Sequence, residues 1–106
     1  MGYRSEVAVR LSEQAVEVVK IFCKLDKRIN QLVNDADISD LQSGCLQWSW
    51  IKWYDGYEDI DAFNAMLDQI GCEDYGLIRL GEEVEDIDYQ GCPSDFDMYV
   101  NRSIEW

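Results

Sequence analysis

The residues best able to do chemistry in this sequence are carboxylates, and they are concentrated in its second half. From Asp55 to Asp97 there are fourteen acids and a single base, Arg79, whereas the stretch from Met1 to Tyr54 has seven acids and seven bases. The net charge of −13 therefore comes from one contiguous segment. Carboxylates in such a segment can form a catalytic pair, bind a cation, or contact a positively charged protein.

The sequence offers little that favours an enzyme. It contains no histidine, so a nucleophile would lack its usual base, and it has neither a G-x-x-x-x-G-K nor a G-x-G-x-x-G phosphate loop. A hydrolase that uses two carboxylates stays open on composition, but acids on solvated strands and turns keep ordinary pKa values. We therefore expect a protein that is not an enzyme, with no catalytic residues and no cofactor.

One acidic segment has the composition of a calcium site. Asp86-x-Asp88 follows Glu82, Glu83 and Glu85, and calcium takes about six to eight oxygen ligands. The segment lacks, however, the D-x-[DN]-x-[DN]-G loop with a glutamate at the required offset. We expect no metal site.

The cysteines and the apolar runs bear on the compartment. No C-x-x-C pair occurs, no apolar run reaches the roughly 18 to 20 residues that span a bilayer, and the first residues do not resemble a signal peptide. We expect a cytoplasmic protein without a membrane partner. The sequence has four cysteines, Cys23, Cys45, Cys72 and Cys92. They could form two disulfides, but free thiols are favoured in the cytoplasm.

An aromatic group surrounds the start of the acidic segment: Trp48, Trp50, Trp53, Tyr54 and Tyr57. These rings can fill the core, or they can form a contact patch, because Trp and Tyr are enriched at interface hot spots. In a regular strand Trp50 and Trp53 cannot both face inward. Trp53 and Tyr57 are our candidate apolar anchors.

The periodicity of apolar residues predicts the elements that position these groups. Strands are expected where apolar residues alternate, and helices where they recur at helical spacing with a cap in front. The predicted order is βαβαβββ: a strand over 2–11, a helix from the Ser12 cap to Asn34, a strand over 45–54, a helix capped by Asp59 or Asp61 and ended by Gly71, and strands over 75–80, 83–89 and 98–106. This order predicts one α+β domain over 1–106, a mainly antiparallel sheet of about five strands with two helices packed on it.

The acids can imitate a nucleic acid if they share a face. Same-face residues of a strand lie about 6.6 Å apart, and DNA carries a phosphate per about 3.4 Å of each strand. A basic protein groove would accept such an array, whereas DNA itself would be repelled. A merely solvated acidic face is the alternative. The predicted contact acids are Glu82, Glu83, Glu85, Asp86 and Asp88, with Asp55, Glu58, Asp59 and Asp61 in addition.

Two short motifs carry a resemblance. The opening residues 1–8, MGYRSEVA, and the stretch 53–57, WYDGY, resemble segments of small acidic proteins of bacteriophages and prophages, including anti-CRISPR and anti-restriction inhibitors. The resemblance is carried by these two short stretches and implies an inhibitor in the host bacterial cytoplasm. Its implied partner is the basic surface of a CRISPR or restriction nuclease complex, bound through a DNA-mimicking face.

A second function fits the same acids. An immunity protein that blocks a cognate nuclease toxin would also present carboxylates to basic residues. The sequence leaves open which target is bound and whether the chain is a monomer or a homodimer.

Overall fold

A five-stranded antiparallel sheet forms the centre of the protein, and its central strand is the first in the sequence. The computed structural model describes residues 3–54, 56–83, 85–100 and 104–105. The strands of this sheet are β1 (Ser5–Leu11), β2 (Ile38–Asp40), β3 (Cys45–Ile51), β4 (Tyr75–Leu80) and β5 (Ile87–Gly91). Their order is β2–β3–β1–β4–β5. The predicted α+β fold with an antiparallel sheet of about five strands is confirmed.

The described part of the chain has three helices, one more than predicted: α1 (Glu13–Leu25), α2 (Lys27–Asn34) and α3 (Glu58–Ile70). The prediction of one continuous helix up to Asn34 was wrong, because Asp26 adopts an extended backbone with φ −129 and ψ 113. Its N–H donates to the Phe22 carbonyl at 2.8 Å, and its carboxylate accepts from the Arg28 N–H at 2.9 Å. Aspartate competes with helix continuation and caps helix starts well, so it ends α1 and begins α2.

The main core lies between the helices and one face of the sheet. Alternation in β1 points Val7, Val9 and Leu11 to this side, where all three are buried with Trp48 and Phe63. The Trp48 indole N–H donates to the Leu32 carbonyl at 2.9 Å, so the largest core side chain also has a polar partner. This packing fixes α2 and α3 over the middle of the sheet.

The second face of the sheet has a smaller core. Ala8, Ile78 and Met98 are buried there, beneath a short 3-10 helix (Pro93–Phe96). Gly76 permits this approach, because a Cβ at that position would lie 2.7 Å from the Pro93 Cα. No helix among the described residues is long and apolar enough to cross a membrane.

A bulge in β3 decides which tryptophan is exposed. Val7 pairs with Trp48 and Ser5 pairs with Ile51, so one residue of β1, Glu6, opposes two of β3, Ser49 and Trp50. The extra residue interrupts the alternation. Trp48 is consequently buried, and Trp50 is 62% exposed.

The late strands differ from their predicted bounds. Glu83, Glu85 and Asp86 do not belong to a strand, since β5 begins only at Ile87. Val84 lies outside the described residues. The predicted strand over 98–106 is instead two short strands, β6 (Tyr99–Val100) and β7 (Ile104–Glu105), paired with each other outside the main sheet. Its residues 101–103 and 106 lie outside the described residues.

Candidate functional site

Two of the predicted acidic segments follow strands at the same end of the sheet. Because the strands are antiparallel, β1 begins, β3 ends, β4 ends and β5 begins at this end. The turn 81–86 joins β4 to β5 here, and α3 begins a few residues after β3. We call the turn 81–86 and the first helical turn 58–61 together the acidic end. Asp55 lies outside the described residues.

Arg79 organises the inner side of the acidic end. Its Nε donates to Asp88 Oδ2 at 2.8 Å, and its Nη2 lies 2.6 Å from Asp86 Oδ1 and 2.7 Å from Asp88 Oδ2. Its Nη1 donates to Ser5 Oγ at 2.9 Å and approaches Asp86 Oδ2 at 3.4 Å. The five contacts match the five N–H groups of a guanidinium. The arginine side chain is 14% exposed, so this is a partly desolvated ion-pair cluster.

The first described residues hold the turn closed. The Tyr3 hydroxyl donates to Asp86 Oδ2 at 2.6 Å and accepts from the Glu83 N–H at 3.1 Å. The Gly81 N–H donates to the Asp86 carbonyl at 2.7 Å. A Cβ at Gly81 would overlap the Asp86 carboxylate and the Tyr3 hydroxyl, so the turn needs glycine there.

These contacts fix the charges of the cluster. Hydrogen bonds from Arg79 and then from Tyr3 lower the pKa of Asp86. The bond to Asp86 raises the pKa of Tyr3. Burial acts to lower the pKa of Arg79, but its bonds to Asp86 and Asp88 outweigh that effect and raise it. Each shift strengthens the charge state that the group already has at neutral pH.

A cleft of about 610 Å³ opens beside the Arg79 cluster. Its aromatic lining comes from Tyr3, Trp53, Tyr54 and Tyr89, and α3 contributes Asn64. The Asn64 Oδ1 atom is shielded from water and has no hydrogen-bond donor among the described residues. The volume is in the range of small-ligand pockets. The cleft is lined by aromatic rings and by Asn64, whose amide oxygen is unpaired in the described structure but shielded in this conformation.

The predicted contact acids fall into two groups at this end. Glu82, Glu83 and Glu85 are exposed on the turn, and Glu82 accepts from the Arg4 N–H at 2.6 Å. Asp86 and Asp88 instead bind Arg79. The predicted position of these acids along one strand was wrong, because Glu82, Glu83, Glu85 and Asp86 precede β5 and only Asp88 of the five lies in it.

The acids of the first turn of α3 serve that helix. Tyr57 is the N-cap, not the predicted Asp59 or Asp61. Asp61 Oδ1 accepts from the Gly56 N–H at 3.0 Å, and Glu58 is exposed. Negative charge at a helix start is stabilised by the helix dipole, so this group also has a folding role.

The two proposed aromatic anchors have different environments. Trp53 is only 8% exposed and packs 5.2 Å from the Trp48 ring and 5.8 Å from the Phe63 ring, centroid to centroid. It is a core residue that also lines the cleft, so the structure does not present it as an exposed anchor. Tyr57 is 43% exposed and packs edge-on against Tyr54.

Sequence reasoning missed Tyr3, Asn64 and Arg79 as parts of the site. Arg79 had a signal, since it is the single base among fourteen acids. Asn64 had none, and Tyr3 belongs to the predicted first strand and to the opening motif without a predicted role in the site. All four cysteines are free, as expected. Among the described residues no cluster of His, Cys, Asp and Glu side chains has the arrangement of a metal site.

No protein-family model matches this chain, and comparison with curated proteins and with solved structures gives no match. The function must therefore be argued from the acidic end itself.

Proposed function

We propose that this protein is a non-catalytic inhibitor, encoded by a phage or prophage, that binds a basic nucleic-acid-binding surface of a bacterial CRISPR or restriction nuclease complex through its acidic end. The proposal rests on one observation, the exposed glutamates of the turn 81–86. Glu83 and Glu85 are exposed there and form no ion pair with any described residue. The neighbouring Arg79 is already engaged by two carboxylates, so it does not offset their charge.

The structure of the turn supports a binding role over mere solvation. The turn is held by side-chain and main-chain hydrogen bonds of Tyr3, Gly81 and Asp86. Its glutamate side chains are therefore attached to a constrained backbone. Fixed charges attract an oppositely charged surface with a smaller entropic cost than mobile ones. A cluster of one sign also steers association, and this effect weakens as salt screens it.

The spatial distribution of the acids imitates that of DNA phosphates only approximately. The acids cluster around a turn and a helix start, so they resemble a patch of phosphates more than one DNA strand. A basic groove that binds phosphates through Lys and Arg can accept carboxylates in the same positions.

The test is competition with DNA, measured by electrophoretic mobility for a panel of purified CRISPR effectors and restriction endonucleases. The variant E82K/E83K/E85K reverses the exposed acids of the turn. The matched control D68K/E73K/D95K makes the same charge change with exposed residues at the opposite end of the sheet. We expect the native chain and the control to displace DNA from a panel member, with an effect that falls as salt rises, and the turn variant to lose it.

Two results would contradict the proposal. Equal loss in both variants would make the effect one of net charge, without a defined surface. Inhibition restricted to nuclease toxins added to the same panel would assign the acidic end to the immunity function instead.

A further inference from the structure

In the cleft beside Arg79, the cationic hydrogen-bond donors are already engaged, whereas some of the described oxygen acceptors are free. The five N–H groups of Arg79 contact Asp86, Asp88 and Ser5, and the Tyr3 hydroxyl donates to Asp86. Two carboxylates around one guanidinium leave the cluster with a net negative charge. A molecule that enters the cleft meets this charge without a free cation among the described residues that line it.

Asn64 adds an acceptor that needs a donor. Its Oδ1 has no partner within the described part of the chain, and a buried carbonyl oxygen without a hydrogen-bond donor is energetically unfavourable. The last side-chain torsion of asparagine is soft, so a small rotation can turn this oxygen into the cleft. An incoming N–H group would satisfy it.

The apolar lining of the cleft is aromatic. Trp53 and Tyr54 line it beside Asn64, and Tyr3 lines it beside Asp86. Aromatic faces attract cations through their quadrupole, and the planar guanidinium of arginine stacks on them better than the ammonium of lysine. Several N–H donors in one plane also suit the Asn64 oxygen together with the Asp88 carboxylate, which is 58% exposed.

We infer that the cleft receives the guanidinium group of an arginine side chain from the partner that the acidic end binds. The inference rests on the proposed function and deepens it. The exposed glutamates attract the basic surface, and the cleft selects one arginine by stacking and by hydrogen bonds to Asn64 and Asp88. Buried, stacked arginines are typical interface hot spots.

The first test uses the intact chain and a small probe. In ¹H–¹⁵N spectra, N-acetylarginine methylamide should shift the Asn64 side-chain amide and the Trp53 indole N–H, in a saturable way. The citrulline analogue has the same shape without the charge and should shift neither. A lysine analogue that binds as tightly as the arginine analogue, or shifts confined to other residues, would overturn the assignment.

Two variants test the residues. Asp88→Asn keeps the shape of the side chain and removes its charge, and Asn64→Leu removes the amide; each should weaken the arginine probe by about tenfold. Asp95→Asn, an exposed acid at the opposite end of the sheet, is the control and should bind the probe unchanged. Unchanged affinity in both site variants would contradict the inference.

The DNA-competition assay separates this inference from the proposed function. If E82K/E83K/E85K loses inhibition and Asn64→Leu keeps it in full, the proposed function stands and the arginine pocket is wrong. If the arginine probe occupies the cleft but no panel member is inhibited, the pocket stands and the proposed function is wrong.

Discussion

The Tyr3 hydroxyl lies 2.6 Å from Asp86 Oδ2, although 83 residues separate the two in sequence. The bond joins the residue just before the central strand to the last residue of the acidic turn. Ser5 follows the same pattern, since its hydroxyl accepts from Arg79. Tyr3 and Ser5 of the opening motif thus help to hold the acidic end in place.

Removing the Tyr3 hydroxyl should loosen the turn. Tyr3→Phe deletes the bond to Asp86 and the acceptor for the Glu83 N–H, so we expect Tm to fall by a few degrees in thermal unfolding followed by circular dichroism. Tyr57→Phe is the matched control, because Tyr57 is exposed against the Tyr54 ring. Equal Tm values for the two variants would show that the Tyr3 bond does not stabilise the fold.

The stability difference between the native chain and Tyr3→Phe should depend on pH in a defined way. The pKa of Asp86 is lowered from its ordinary 3.8, so its stabilisation is present above that value and is lost as pH falls through the lowered pKa. The pKa of Tyr3 is raised above 10.0, so its contribution is present below pH 10.0 and is lost as pH rises through the raised pKa. Urea unfolding should therefore give a plateau at neutral pH that shrinks at both extremes. A difference that does not change with pH would contradict the bond.

Arg79 should be the residue of the acidic end on which stability depends most. Arg79→Met leaves Asp86 and Asp88 facing each other without their cation, and removal of one partner from a partly buried cluster should cost about 2 to 3 kcal/mol of unfolding free energy. Adding Asp86→Asn and Asp88→Asn to this variant should restore much of the loss, because no uncompensated charge then remains. A triple variant less stable than Arg79→Met would show that charge repulsion is not the cause.

Much of the fold follows from local patterns, and the departures from it have local causes. Alternation located β1 and β4, and helical spacing with Gly71 located the end of α3. The break at Asp26 depends on a capping choice that competes with an apolar pattern continuing through it. Before β5 begins at Ile87, Asp86 is bound by the Tyr3 hydroxyl, a long-range contact that apolar periodicity cannot predict.

Of the candidate site, the sequence predicted only the concentration of negative charge. The concentration of acids located the turn 81–86, but which acids stay free depends on strand register. Arg79 pairs with Asp88 across β4 and β5 because the turn fixes that register. The bulge at Trp50 likewise shifts the strand register, and this one extra residue determines which tryptophan is exposed.

The tryptophans give a direct check of that bulge. Trp50→Ala removes an exposed ring and should change the unfolding free energy by no more than about 0.5 kcal/mol. Trp53→Ala opens a cavity beside Trp48 and Phe63 and should cost about 3 to 5 kcal/mol. Iodide should quench the fluorescence of native Trp50 and leave that of Trp53 largely unaffected. The emission of each tryptophan can be assigned by comparing the spectrum of the native chain with that of the variant that lacks it. A large stability loss in Trp50→Ala would contradict the exposed position.

Three of the four free thiols should react in an order that the fold determines. The thiolate is the reactive form of cysteine, so a raised pKa slows alkylation. Burial raises the pKa of Cys23; burial and then the neighbouring Cys72 raise the pKa of Cys92. Cys72 itself is exposed. In a time course of iodoacetamide labelling at pH 8, followed by peptide mass spectrometry, Cys72 should be modified before Cys23 and Cys92. The control is the same reaction in denaturant, where these differences should disappear; labelling of Cys23 or Cys92 ahead of Cys72 in the folded chain would contradict this placement.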